Sequence, residues 1–322
     1  MQKMNKKAFT LLELSIVLLI ISVVMGGMMV LFNQSIEQKQ VQETQAKMAV
    51  IQNTLLDYRR AFLRIPCPAD ATQTMDATSN NYYGVEAANN NGTCIGGTPA
   101  ANFSIAASTF TGSTTNASAV VTSVSSTAGL SIGTLVSGTG IPSGTAIASI
   151  DSATQITLDT AATATNAGIT ISRNTVVGGM VPTKTLQLPD DYAIDGWGRR
   201  IMYIVDVNLT ATAGAANVPV TDSATNRITV NDASGAAKTT SAVYLLLSFG
   251  KNGHGGYIRG GSSTRLANYI SADADELTNC HCSSTAAATA FSATFVQKPI
   301  STGTFDDLVV YSTRADLRSF SE

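Results

Sequence analysis

The sequence predicts an α+β chain: a long N-terminal α-helix, transmembrane in its first half, and then a strand-rich head interrupted by an all-β insertion. Three observations predict it. Phe9–Phe32 is a 24-residue run whose polar members are Thr10, Glu13, Ser15 and Ser22, and no proline occurs before Pro66. Beyond residue 64, short apolar or alternating runs are punctuated by Gly, Pro and Asp-Gly turns. Residues 102–175 are almost free of charge and rich in Thr, Ser, Ala and Gly.

Composition narrows the function classes. The chain has 322 residues, of which 13% are charged, against roughly 25% in an average soluble protein. Twenty basic and 22 acidic residues give a net charge of −2, which excludes a basic nucleic-acid binder driven by phosphate contacts. Two histidines and four cysteines leave little material for a metalloenzyme or a His-based hydrolase. A weakly charged, Ser/Thr/Gly-rich chain reads as mostly β and exported.

Phe9–Phe32 spans about 36 Å as a helix, enough to cross a bilayer. Lys3, Lys6 and Lys7 precede it, so the N-terminus stays cytoplasmic and the rest lies outside. A secretory signal has a shorter apolar region followed by a small-x-small cleavage site, and neither is present. A plain anchor would not carry Glu13 five residues into its apolar run, because a carboxylate in hydrocarbon costs a few kcal/mol and marks function.

Lys6-Lys7-Ala8-Phe9-Thr10-Leu11-Leu12-Glu13-Leu14 resembles the class III signal of type IV pilins and type II secretion pseudopilins. The resemblance implies cleavage between Ala8 and Phe9 by prepilin peptidase on the cytoplasmic side, N-methylation of Phe9, and Glu13 as the fifth residue of the mature chain. Gly usually precedes the cut, and Ala8 departs from that while remaining small. Cleavage removes three lysines and leaves 17 basic residues against 22 acidic, a net −5. An amine buried in a fibre core needs a counter-charge. Glu13 of a neighbouring subunit supplies one, offsetting the desolvation cost and setting axial register.

After Asn33 the chain turns polar but keeps a helical stripe: Met48, Ile51, Leu55, Tyr58 and Phe62 at three–four spacing, with Val41 and Thr44 upstream. The stripe points to packing on the chain's own head, with a coiled-coil seam as the alternative. The helix spans Phe9 to Leu63, about 80 Å. Gly26-Gly27 stands where many pilins have a mid-membrane proline, a point of local melting on assembly. Arg64-Ile65-Pro66-Cys67-Pro68-Ala69 ends the helix.

The head follows as Asn89–Cys94, Gly179–Pro182, Leu186, Asp195-Gly196-Trp197-Gly198 leading into the Arg199–Tyr203 strand, Ala242–Phe249, the glycine loop Gly250–Gly256, and Phe305–Tyr311. Trp197, the sole tryptophan, reads as a core plug. In this order the motifs resemble a subgroup of pilin-like proteins over residues 1–98 and about 176–322. The resemblance implies an antiparallel β-sheet head packed on the outer half of the helix. The domain boundaries are then 1–8 leader, 9–63 helix with 9–32 as transmembrane segment and filament core, 64–101 plus 176–322 head, and 102–175 insertion.

Within the insertion, residues 120–124, 134–136, 145–150, 155–158 and 169–172 read as short strands separated by turns at 138–144 and 151–152. This suggests a small β-sandwich or barrel, similar to a β module of phage and bacterial surface proteins. Its uses would be adhesion, fibre coating or bulk.

Four cysteines beyond the membrane face an oxidising compartment, so disulfides are the default and three connectivities exist. The favoured pairing is Cys67–Cys94, a loop of about 28 residues worth roughly 3 kcal/mol. It leaves Cys280–Cys282 around His281, whose alternative is a Cys280-His281-Cys282 metal site lacking further ligands. Asp273, Asp275, Asp306 and Asp307, with Glu276 nearby, are calcium candidates without EF-hand spacing. Gly129–Gly133 matches a nucleophile elbow around Ser131, but no helix follows and the nearest downstream histidine is His254, in a glycine turn.

The reading is a non-enzymatic filament subunit needing no cofactor. Its partners are copies of itself, other pilins or pseudopilins, prepilin peptidase, the inner-membrane assembly platform and, before assembly, membrane lipid. It passes from the bacterial inner membrane to an extracellular filament. A minor pilin or adhesin using the inserted module is the alternative, and a membrane-anchored hydrolase the weakest one.

Overall fold

The computed structural model describes residues 11–75, 83–87, 94, 103–127, 130, 132, 135–142, 145–206, 209–210, 228–261, 265–266, 273–282, 293–300, 305–313 and 316, with side chains left aside at 24–34, 103–108 and 174–175. Helix α1 covers Leu11–Phe62. Strands β1 (Phe103–Thr114), β2 (Val120–Thr122), β3 (Leu135–Gly138), β4 (Ile147–Ser152), β5 (Gln155–Leu158) and β6 (Asn166–Met180) follow. Then come a 3-10 turn at Asp190–Ala193, β7 (Met202–Asp206), β8 (Ile228–Asn231), β9 (Ala237–Ser248), α2 (Ala274–Cys280), β10 (Thr294–Val296) and β11 (Leu308–Thr313).

These strands form one sheet in the order β10-β8-β9-β7-β6-β1-β2-β5-β4, with β11 pairing residues 242–248 of β9 and β3 pairing β6. All pairings are antiparallel except β8–β10. The chain is therefore α+β with a β-rich head.

The central strands are buried on both faces. Tyr203 and Val205 of β7, Leu246 of β9 and Val177 of β6 face α1 and join Met48, Ile51 and Leu55 in one core. Met202, Ile204, Leu245, Leu247 and Val176 face the other way, under Phe249, Tyr257, Phe295 and Cys280. Two buried faces explain why Tyr244–Leu247 is a continuous apolar run rather than an alternating one.

On α1 the residues buried against the head are Thr44, Met48, Ile51, Leu55 and Tyr58, spaced by three or four as an amphipathic face requires. Phe62 leaves the stripe. It stacks on Tyr58 but is 55% exposed, because Leu63 turns into the left-handed region and the chain departs from the helix.

Strand β6 is 15 residues long, about 50 Å of extended chain, and it ties the insertion to the head. β1 pairs with it along nearly its whole length, while β3 pairs with residues 171–174 and β7 with its last five residues. The β1 ladder runs from Thr114↔Asn166 to Phe103↔Gly178. The segment 102–175 thus continues the head sheet through a two-stranded ladder. It also carries its own core of Phe110, Val121, Val136, Ile147, Ile156, Leu158 and Ile171. A bond from Val136 N to Thr145 O brings β3 to the lead-in of β4, so these strands curl back around that core.

Helix and head meet backbone to backbone at Gly196. Its N–H donates to Thr44 Oγ1 (2.9 Å), which itself donates to Gln40 O (2.7 Å). A Cβ on Gly196 would lie 2.8 Å from Gln40 Cα, closer than real Cβ atoms come. Gly196→Ala is expected to lower stability by about 1–3 kcal/mol through overpacking, read as a shift in urea midpoint with unchanged slope. An unchanged midpoint would show that this contact does not hold the helix.

Candidate functional site

The N-terminal arm of α1 is apolar on all sides. From Leu11 to Val23 its large side chains stand 46–88% exposed. Ser15 and Ser22 donate to the carbonyls of Leu12 and Leu19 (2.8 Å each), so their hydroxyls are satisfied within the helix. Glu13 is the one charged residue in this stretch. Lys6, Lys7, Ala8 and Phe9 lie outside the described residues. Among the described residues, no helix is long and apolar enough to cross a membrane, and the side chains of 24–34, which belong to the same apolar run, are outside that set.

Where α1 reaches the head, polar contacts fix its position. Lys47 Nζ, nearly buried, binds Glu43 (2.8 Å), Asp191 (2.8 Å) and the Ile194 carbonyl (3.0 Å). Lys251 pairs with Glu37. Asp195, buried, accepts from the N–H groups of Trp197 (3.0 Å) and Arg199 (2.8 Å) and from Ser248 Oγ (2.7 Å). That carboxylate builds the turn that presents Gly196. Trp197 is partly buried against the same core.

At the far end of α1, Arg64 grips Glu86 with both nitrogens (2.8 and 2.5 Å), and Glu86 also accepts from Cys67 N (2.9 Å). Burial and the Glu86 carboxylate push the Tyr58 hydroxyl up to about 12. Cys67 is bonded to Cys94, and Cys280 to Cys282. The alternative metal set around His281 is corrected by geometry: His281 is left-handed (φ 49°), turns its ring to the Asn279 carbonyl (3.1 Å) and sits edge-on to Phe295. The histidine beside these sulfurs is His254, buried in the glycine loop. Ser131 lies outside the described residues.

The four calcium candidates fall into two groups. Asp273 and Asp275 clamp Lys298 Nζ (3.0 and 2.6 Å), and Asp273 also caps α2 by accepting from Asp275 N (2.9 Å). Asp306 and Asp307 instead converge with Glu276, all three ligand oxygens within 4.8 Å. Glu276 stands with Asp273 and Asp275 in sequence, and it is the fold and not local spacing that brings it from α2 to the lead-in of β11. Asn252 donates to both Glu276 oxygens (3.0 and 2.9 Å) and its N–H to Asp306 (2.7 Å). Asn279 donates to Asp307 (2.9 Å).

Three crowded carboxylates cannot all ionise cheaply. Burial first, then the Glu276 charge, raise the Asp306 carboxyl to about 7, against the Asn252 N–H and the Arg199 guanidinium. Burial likewise holds Asp307 well above the usual carboxylate range. The folded state therefore keeps a proton on Asp306 that the unfolded chain has lost, so this group's contribution to stability falls as pH rises from about 4 to about 7. Asp306→Asn removes that loss. Its stability relative to the parent is expected to rise by about 2 kcal/mol between pH 5 and pH 8, discounted for partial exposure, in urea titrations at both values. Equal differences at the two values would refute the assignment.

No curated protein and no solved structure matches the chain. A sequence model described as the prokaryotic N-terminal methylation motif matches residues 3–29. The chain thus carries at its N-terminus the class III signal of type IV pilins and pseudopilins, which marks it as a pilin-like substrate of prepilin peptidase.

Proposed function

We propose that the chain is a structural subunit of a type IV pilus or type II secretion-like filament. The observation that carries the reading is the coincidence of the methylation motif at 3–29 with a helix arm whose Leu11–Val23 side chains are exposed on every side. An apolar surface of that extent needs lipid or other copies to cover it. Before assembly the arm lies in the inner membrane with its N-terminus cytoplasmic. Prepilin peptidase cuts between Ala8 and Phe9 and methylates Phe9, Lys6 and Lys7 forming the positive side of the signal. The assembly platform then transfers the arm from lipid to the fibre core, against copies of itself and other pilins. There Glu13 pairs with the Phe9 amine of a neighbour. No step of this role involves turnover.

A second reading is supported by the insertion. Its separate core and its two-stranded attachment suit a module carried outward on a filament surface, as in a minor pilin acting as an adhesin. Copy number separates the two readings.

Intact-mass spectrometry of sheared filaments beside the membrane fraction tests both. A chain beginning at methylated Phe9 as a dominant filament species supports the main-subunit role, and a trace supports the minor one. Glu13→Ala is expected to be cut normally and to yield filaments at least about tenfold more poorly, the cost of one unpaired buried charge. An uncut Met1 chain in both fractions, or full filament yield from the variant, would refute the proposal.

A further inference from the structure

The glycine loop 250–256 crosses the end of α2 at very short range. Gly253 and Gly255 adopt φ of +66° and +84°, and a Cβ on Gly255 would overlap Cys280 Cβ. Only a backbone without side chains fits there, and the effect is to press His254, 2% exposed, onto the Cys280–Cys282 pair. A ring nitrogen of His254 and both sulfurs lie within 4.8 Å of one another, all three residues buried. Arg265 donates to the carbonyls of Gly255 and Cys280. It ties the two sides of the cluster together and sets a positive charge at the Cys280 backbone, a charge of the sign that favours thiolate.

We propose that, once the Cys280–Cys282 bond is opened, Cys280, Cys282 and His254 form a site for a soft divalent cation of the zinc type. A dithiol supplies two electrons and two protons: the S–S bond breaks, two thiols form, and the dithiol becomes a disulfide. Cation binding then expels one proton from each thiol, while His254 gives the lone pair of its neutral ring nitrogen. Tetrahedral zinc, with bonds of about 2.3 Å to sulfur and 2.0 Å to nitrogen, sets its ligands about 3.5–3.8 Å apart, within the spread of this cluster. Among the described residues no fourth His, Cys, Asp or Glu joins the group, so the fourth position falls to water, as in open zinc sites. Disulfide and metal compete for the same sulfurs, and the site is gated by redox state.

The test uses full-length protein in detergent, reduced with a phosphine (which becomes the oxide with oxygen from water) and titrated with cobalt(II). The reduced protein is expected to develop a thiolate-to-cobalt charge-transfer band saturating at one metal per chain and bleached by zinc. His254→Ala is expected to weaken binding at least about tenfold while His281→Ala stays within about twofold. Oxidised protein and Cys280→Ser/Cys282→Ser are expected to give no band. X-ray absorption of the zinc-loaded parent needs no variant, and is expected to count two sulfurs and one imidazole nitrogen. Absence of the band on reduction, a band surviving the double serine variant, equal binding by oxidised protein, or a zinc shell without imidazole would each overturn the proposal. Because the readout is metal binding by the head, it is independent of filament assembly.

Discussion

The structure depends on the backbone contact between Gly196 and helix α1. A helix that carries an uncovered apolar arm beyond its head has to be held against sliding along its axis. Apolar packing of Met48, Ile51 and Leu55 is non-directional and resists sliding poorly. The hydrogen bond from Gly196 N to Thr44 Oγ1 is directional, and it forms only because Gly196 brings no side chain between the turn and the helix. Asp195 holds that turn through three donors, and Lys47 fastens the same region to Asp191 and Ile194. Burial raises the Asp195 carboxyl, against the hydrogen bonds of Ser248, Arg199 and Trp197 that favour its charge. The turn thus accepts a desolvation cost in exchange for a fixed shape.

The sheet makes a second use of the same economy of contact. Its central strands serve two cores at once, with Tyr203 and Leu246 toward α1 and Ile204 and Leu245 away from it. A sheet covered on both faces has no solvent face on which to insert a module. The insertion therefore leaves along the sheet's own plane, as an extension of β6 and β1. A ladder of this length transmits orientation better than a flexible linker would, because each added pair of strand residues adds backbone bonds that resist bending.

Much of this was legible in the residues. The helical stripe followed from three–four spacing, and the Ala242–Phe249 strand from its apolar run. Thr44 stood in the stripe as an apparent lapse in apolar pattern, and the structure explains it as the acceptor for Gly196. Trp197 drew the eye as a rare large side chain, yet the adjacent Asp195 and Gly196 make the directional contacts. Strand β1 escaped notice because its Ser/Thr/Ala-rich run offers little apolar alternation, and it is held by its register against β6 instead. His254 beside the Cys280–Cys282 pair and Glu276 beside Asp306 were invisible for another reason. Each joins segments 24 to 30 residues apart whose meeting is fixed by the fold and not by local period.

The contrast between the two ends of α1 has a consequence under the proposed filament role. The outer end is held by the Arg64–Glu86 pair, the Cys67–Cys94 bond and the Gly196 contact, and among the described residues nothing buries the inner end from Leu11 to Val23. A subunit with both ends buried would have no surface left for its neighbours. One with both ends loose would lose several side chains' worth of conformational entropy on joining a fibre. With the head end pre-ordered, that loss is confined to the arm, where apolar burial at about 25 cal/mol per Å² is available to offset it. The division of labour along one helix is thus a thermodynamic one: rigidity is placed where the helix meets the head, and unburied apolar area on the arm where the proposed role has copies meet.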